Sequence, residues 1–258
     1  MRCAAFGALF LCAATAVRAQ VPTDPHAVQP ERPTVATHAY TVAPGWLEIE
    51  AGAEFDRYSD KSRGGSAPVL VKLGLGRRTQ LDLFASATAP PGRGLGVGDA
   101  GFALKWRVID GSRWLGDLAL QPSIKFPTGA SAEGRGTGTT DAGIIIISSR
   151  HLGPVELDVN FGYTRRSGDG TMAPRDATLW TASFGGPIRG RFGWVAECFG
   201  YPATSGPAGA GSVVALLAGP TLLLRPWLAL DAGIIAPISG TQPSAMYLGT
   251  VYNLGRVW

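Results

Sequence analysis

Cysteine, histidine and long apolar runs are what this sequence has least of. Its 258 residues include three cysteines and three histidines. Cys3 and Cys12 lie near the N-terminus, which leaves Cys198 alone in the remainder of the chain. No internal disulfide can form there, so stability has to come from size and closure. No run beyond the N-terminal region reaches the roughly 18 apolar residues that a membrane-crossing helix needs. Val213 to Leu224 is the longest uncharged stretch of interest, and it is too short and interrupted. Strong net charge is also absent: 23 Lys and Arg stand against 19 Asp and Glu. Two of those bases, Arg2 and Arg18, fall in the leader described next, so the remainder is nearly neutral and no nucleic acid partner is expected.

What is present begins with a leader. Arg2 supplies a positive start, Ala4 to Val17 is apolar, and Val17-Arg18-Ala19 offers small residues at cleavage positions. Residues 1–19 therefore read as a secretory signal peptide, with Gln20 as the mature N-terminus. Cys12 follows Leu11 in mid-run, which excludes a lipoprotein signal. Glycine is abundant, at 36 residues, and proline frequent, at 19, without a collagen period. An exported, glycine-rich, moderately apolar chain without a spanning helix leaves one membrane architecture, the closed β-barrel.

Residues 20–45 are rich in proline and polar side chains and have no period. They read as an extended periplasmic arm. From Trp46 the chain alternates on a period of two. Leu47, Ile49, Ala51, Ala53 and Phe55 share one face; Glu48, Glu50, Glu54 and Asp56 share the other. The pattern recurs downstream. Val69, Val71 and Leu73 oppose Lys72, and Leu81 and Leu83 oppose Asp82. Phe102, Leu104 and Trp106 oppose Lys105 and Arg107, while Leu118, Leu120 and Ile124 oppose Asp117, Gln121 and Lys125. Val155, Leu157 and Val159 oppose Glu156 and Asp158, and Leu228 and Leu230 oppose Asp231. Four segments alternate less clearly: Asp141 to Ser149, Ala177 to Gly186, Phe192 to Tyr201, which carries Glu197, and Ser212 to Leu224. Ala245 to Trp258 closes the chain. The total is about twelve strands over residues 46–258.

The connections support this reading. Every second one is short, as at Arg77-Arg78 and Arg225-Pro226; the others are longer and richer in Gly, Ser and Pro, as at Thr128 to Thr139. That strict order is the mark of a transmembrane up-and-down barrel. Trp46, Trp106, Trp114, Trp194, Trp227 and Trp258 all fall near the short-turn ends, as an interfacial girdle would; Trp180 does not. Charge on the lipid face costs roughly 2–4 kcal/mol per residue at mid-membrane. The charged face must therefore line a polar lumen, with the apolar face outside. Asp141 and Glu197 join that inward set, in which acids outnumber bases, so a water-filled bore would favour cations.

Two stretches carry a family resemblance. Arg32 to Gly52 reads RPTVATHAYTVAPGWLEIEAG. Gly116 to Thr164 reads GDLALQPSIKFPTG, a Gly-rich loop, then GTGTTDAGIIIISSRHLGPVELDVNFGYT. Both resemble the outer-membrane β-barrel family of the MetA-pathway of phenol degradation. The resemblance implies a transporter-like role linked to aromatic compounds and brings no catalytic residue. Trp258 stands where such barrels usually end in Phe.

Chemistry is weighed residue by residue. Gly96 to Gly101 matches G-x-G-x-x-G, but no helix follows, so a dinucleotide site is not expected. His26 and His38 lie in the arm and His151 in a short turn beside Arg150; no Ser–His–Asp arrangement or metal-ligand spacing results. Glu48 with Glu50, and Glu156 with Asp158, are carboxylate pairs two residues apart, roughly 6–7 Å along a strand. Glycoside hydrolysis could use such pairs. Their neighbours favour a water-facing wall instead, with strand one beside Lys72, and Lys105 and Arg107 beside Asp117. Cys198 alternates with Trp194 and Ala196 on the outward face. No catalytic, cofactor or metal site is expected. The leading expectation is a bacterial outer-membrane channel for small, aromatic solutes, in contact with outer-membrane lipid and inserted by the barrel-assembly machinery. The alternatives are an outer-membrane enzyme acting on lipid or glycan, and a closed structural or ligand-binding barrel plugged by its own ion pairs and arm.

Overall fold

The computed structural model describes residues 24–258. The signal-peptide reading of residues 1–19 and the first residues of the arm lie outside them. Twelve strands follow in order: β1 (Trp46–Arg57), β2 (Arg63–Gly76), β3 (Thr79–Ala89), β4 (Gly96–Ser112), β5 (Gly116–Phe126), β6 (Asp141–Leu152), β7 (Val155–Arg166), β8 (Asp176–Arg189), β9 (Phe192–Tyr201), β10 (Val213–Arg225), β11 (Leu228–Ser239) and β12 (Ser244–Arg256). Each pairs antiparallel with its sequence neighbours, and β1 pairs with β12, so the sheet closes. Closure leaves no strand edge unpaired, which a hydrocarbon environment demands. No helix among the described residues is long and apolar enough to cross a membrane.

The faces are inverted relative to a water-soluble barrel. Lys72, Lys105, Glu48 and Gln80 are fully buried, whereas Phe161 and Leu248 are more than half exposed. Along β4, exposed Phe102, Leu104 and Trp106 alternate with buried Ala103, Lys105 and Arg107. Only a lipid solvent makes that arrangement stable, because water would strip the exterior of its driving force. The G-x-G-x-x-G stretch is ordinary strand at the start of β4.

The bore is not uniformly polar. Val195, Phe199, Ala215, Leu217, Ile235 and Ala245 form an apolar patch on the inner wall of β9 to β12. Opposite, β1 to β7 present most of the charges.

Candidate functional site

The described arm, residues 24–45, lies inside the bore rather than outside it in the periplasm. It enters at the short-turn end. His26 stands over Trp46 and Trp227 with ring centroids 5.1 and 6.1 Å away, and the Val28 N–H donates to the Pro226 carbonyl at 2.8 Å. It then climbs beside β1, where the Gln29 N–H donates to Glu48 at 2.9 Å and the Glu31 N–H to Glu50 at 2.8 Å. Its apex sits at Glu197 in β9. That one carboxylate accepts the successive N–H groups of Val35 and Ala36, at 2.8 and 2.7 Å.

The return leg descends along β7, β6 and β3. Asn160 accepts the Thr37 N–H at 2.7 Å and donates to the Thr37 carbonyl at 2.9 Å. Ser149 accepts the Ala39 N–H and Gln80 the Val42 N–H, both at 2.8 Å. The Tyr40 hydroxyl lies 3.0 Å from His151 Nε2. Gly45 N–H donates to Gly74 at 2.8 Å, back at the short-turn end.

This placement differs from the expected periplasmic arm for a physical reason. An aperiodic polar segment has no apolar face to bury, so its sequence resembles a solvated tail. Its backbone N–H groups still need acceptors, and the wall provides them one by one. Pro30 and Pro33, which lack an N–H, fall between the bonded residues.

Two buried lysines tie arm to wall. Lys72 Nζ contacts Glu48 at 2.7 Å, Glu50, and the Gln29 carbonyl. Lys105 Nζ contacts the Glu31 carboxylate, Thr37 Oγ1 at 2.7 Å and the His38 carbonyl at 3.0 Å. The acidic face of β1 does sit beside Lys72, as expected. Lys105 and Arg107, however, do not pair with Asp117. Register places Arg107 opposite Ala119, and its guanidinium turns to Asp110 at 2.9 Å. Asp117 accepts the Gly111 N–H at 2.7 Å instead.

The remaining expected bore residues sort by height. Asp82 accepts from both Gln80 and Gln121 at 2.7 Å. Asp231 meets Arg32 of the arm at 3.6 Å. Glu156 and Asp158 face a cavity of about 430 Å³ between the two legs of the arm and the wall. Towards the long-loop end, Lys125 bridges Asp99 at 2.7 Å and Asp141 at 3.2 Å. Asp99 also accepts the N–H groups of Gly129 and Thr137, which pins the β5–β6 loop to the bore. Glu54 and Asp56 are partly buried above Arg32, without an ion pair among the described residues.

Sequence reasoning put Gln80 and Asn160 on the polar face, beside Asp82 and Asp158, but its charge-based bore set left these neutral residues out. It missed Ser149 and Asp99 altogether, although the even spacing of Ser149 from Asp141 was a usable signal. It also missed why Gly52 and Gly249 are glycines. They face each other across β1 and β12, and the Arg32 guanidinium lies where either Cβ would be.

Residues 31–246 match the family described as "Putative MetA-pathway of phenol degradation". The chain belongs to that family. No curated protein matches its sequence. Among solved structures it is similar to the COG4313 outer membrane channel from Pseudomonas putida F1, at 10% identity and TM-score 0.67, over 84% of this chain and 98% of that one. It also resembles the NanC porin, at 9% identity and TM-score 0.57, over 81% of this chain and 100% of that one. The KdgM porin follows at 8% identity and TM-score 0.54, over 80% and 98%. At such identities the likeness is one of fold: this family member is built as outer-membrane channels and porins are.

Proposed function

We propose that this chain is a bacterial outer-membrane channel for small solutes, and that the docked arm is its closed state. The observation that carries this reading is the arm's anchorage. Glu197, Asn160, Ser149 and Gln80 each bond arm backbone from the wall. The arm therefore occupies the short-turn half of a bore whose wall is polar over β1 to β7 and apolar in a patch over β9 to β12. Passage requires it to shift or leave.

The short turns face the periplasm in this reading, as in barrels generally, so the arm enters from the periplasmic side. The aromatic girdle and apolar exterior meet outer-membrane lipid, and the barrel-assembly machinery inserts the chain. The family's description links it to phenol degradation, and a small aromatic solute is the cargo we assign. The reading is non-enzymatic. Among the described residues, His26 bonds the Asn253 carbonyl and His151 bonds Tyr40, so neither meets a serine nucleophile.

Planar-bilayer recordings on the full chain and on a variant lacking residues 24–40 test this. The full chain should show small or rare conductance, and the variant a larger, steady one. Equal conductance in both would contradict the gating role, and none in either would contradict a channel.

A further inference from the structure

The cavity between the arm and β7 to β9 has polar groups that the plug itself does not use. Glu156 and Asp158 lie two residues apart on β7 and both line it. Neither joins an ion pair among the described residues. Asp158 accepts the Ser149 hydroxyl, and one Glu156 oxygen is buried without a partner. From the arm, His38 lines the same cavity. It is more than nine-tenths buried, and neither of its ring nitrogens has a hydrogen-bond partner among the described residues. The Gln29 carbonyl approaches the ring without completing a bond. Buried polar atoms without partners are rare and call for an explanation.

We propose that this cavity is a binding subsite for a small organic cation, a primary ammonium group on an apolar body. An ammonium offers three donors and no acceptor, which matches two carboxylates and an unprotonated imidazole nitrogen. The spacing of Glu156 and Asp158, roughly 6–7 Å along the strand, lets one ammonium lie between them. An anion would face two uncompensated carboxylates; Arg32, the one cationic residue lining the cavity, is already paired with Asp231. A metal ion fits poorly, since no three His, Cys, Asp or Glu side chains cluster for one among the described residues.

The apolar body follows from the rest of the lining. Pro30, Pro154, Trp194 and Val195 supply that surface, and Tyr40 and Trp194 add aromatic rings to it. The volume of about 430 Å³ falls in the ordinary range for small-molecule sites. Eight of the nineteen lining residues belong to the arm, so a bound cation would hold the arm docked. The inference rests on the channel reading for its route; Pro154 and Pro187, at the short turns, line the cavity.

Calorimetric titration of the full chain in detergent with benzylammonium, benzyl alcohol and benzoate tests it. The three probes share a body and differ in charge. Benzylammonium should bind at least tenfold more tightly than either of the others. Glu156→Gln with Asp158→Asn should weaken it by at least tenfold, as expected for lost charge-assisted hydrogen bonds. Ser183→Phe, which fills the cavity and keeps both carboxylates, should abolish binding. Heat-modifiable mobility on gels confirms that each variant is folded. Benzoate binding as tightly as benzylammonium, or unchanged affinity in the folded double variant, overturns the inference. Bilayer conductance on the same preparations separates the two readings. Conductance without benzylammonium binding sinks the subsite alone; binding without conductance in any form sinks the channel and supports the subsite.

Discussion

The Lys105 ammonium of β4 holds the Glu31 carboxylate of the arm, 74 residues away in sequence, in a contact sealed from solvent. Both groups would be costly to bury alone. The pair thus works as a latch: docking brings Glu31 to a lysine that has no other carboxylate within ion-pairing reach among the described residues.

Removing one half of the latch should release the arm. Lys105→Met leaves the buried Glu31 only the Lys72 ammonium at 3.9 Å and the Gln80 amide at 3.1 Å, so the cost stays below the about 3–5 kcal/mol typical of a fully orphaned buried charge. Here the arm can leave instead, so the loss is capped by the docking free energy. Limited proteolysis in native membranes should cut the arm within residues 29–40 in the variant and spare it in the parent chain. Equal protection would refute the latch. Pairing the change with Glu31→Leu should restore protection, because two apolar groups replace the ion pair.

Glu197 is the apex anchor. Glu197→Ala deletes the acceptor for two adjacent N–H groups, each bond to a charged group being worth about 1.5–3 kcal/mol. Hydrogen exchange at Val35 and Ala36 should accelerate by at least tenfold, while the amides of β1 keep their protection. Unchanged exchange at both positions would show that the apex is held by something else.

Gly52 and Gly249 make room for Arg32. Gly249→Val puts a side chain where the guanidinium lies, an overpacking that costs about 1–3 kcal/mol. Arg32 must then move away from Asp231. The variant should fold, and its arm should be cut faster by protease than that of the parent. A Gly249→Val chain with full protection would contradict the fit described.

Acid should loosen the arm. Burial, and next the Lys105 charge, push the His38 imidazole down to about 3. A free arm takes up that proton near the ordinary value of about 6.5. Between those values the undocked arm binds more protons, so docking weakens as pH falls, by about 1.4 kcal/mol per unit for this group. Glu31 acts in the same direction. Burial raises its pKa, but Lys105 and Lys72 outweigh that and hold it well below the carboxylate range. Its contribution is present above about 4.3 and is lost as pH falls below that value. A fluorophore on the arm should report release on going from pH 7.5 to 5, and tighter docking at pH 5 would refute the assignment.

The barrel was legible in the sequence wherever its two faces differ. Glu48, Glu50, Lys72, Lys105 and Asp158 alternate with Leu, Val and Phe, and period two is then unmistakable. Legibility faded over β10 and its neighbours, because Ala215, Leu217 and Ile235 point inward and yet are apolar. With apolar residues on both faces there is no alternation to read. The acidic bore wall was legible; its occupant was not. The arm is held by side chains that bond its backbone, and backbone bonding leaves no residue pattern in the segment that receives it. Nor does a sequence say that Lys105 will reach across to Glu31 rather than along the sheet to Asp117.

The decisive measurement is a reversible cross-link between arm and wall. Ala39→Cys and Ser149→Cys, in a Cys198→Ala background, replace two residues joined by a 2.8 Å hydrogen bond. Oxidation should yield an intramolecular disulfide in native membranes, and the locked protein should stay at its lowest conductance until a reductant frees the arm. Failure of the two cysteines to join, or a locked protein that conducts as freely as one without residues 24–40, would contradict an arm housed in the bore as its closure.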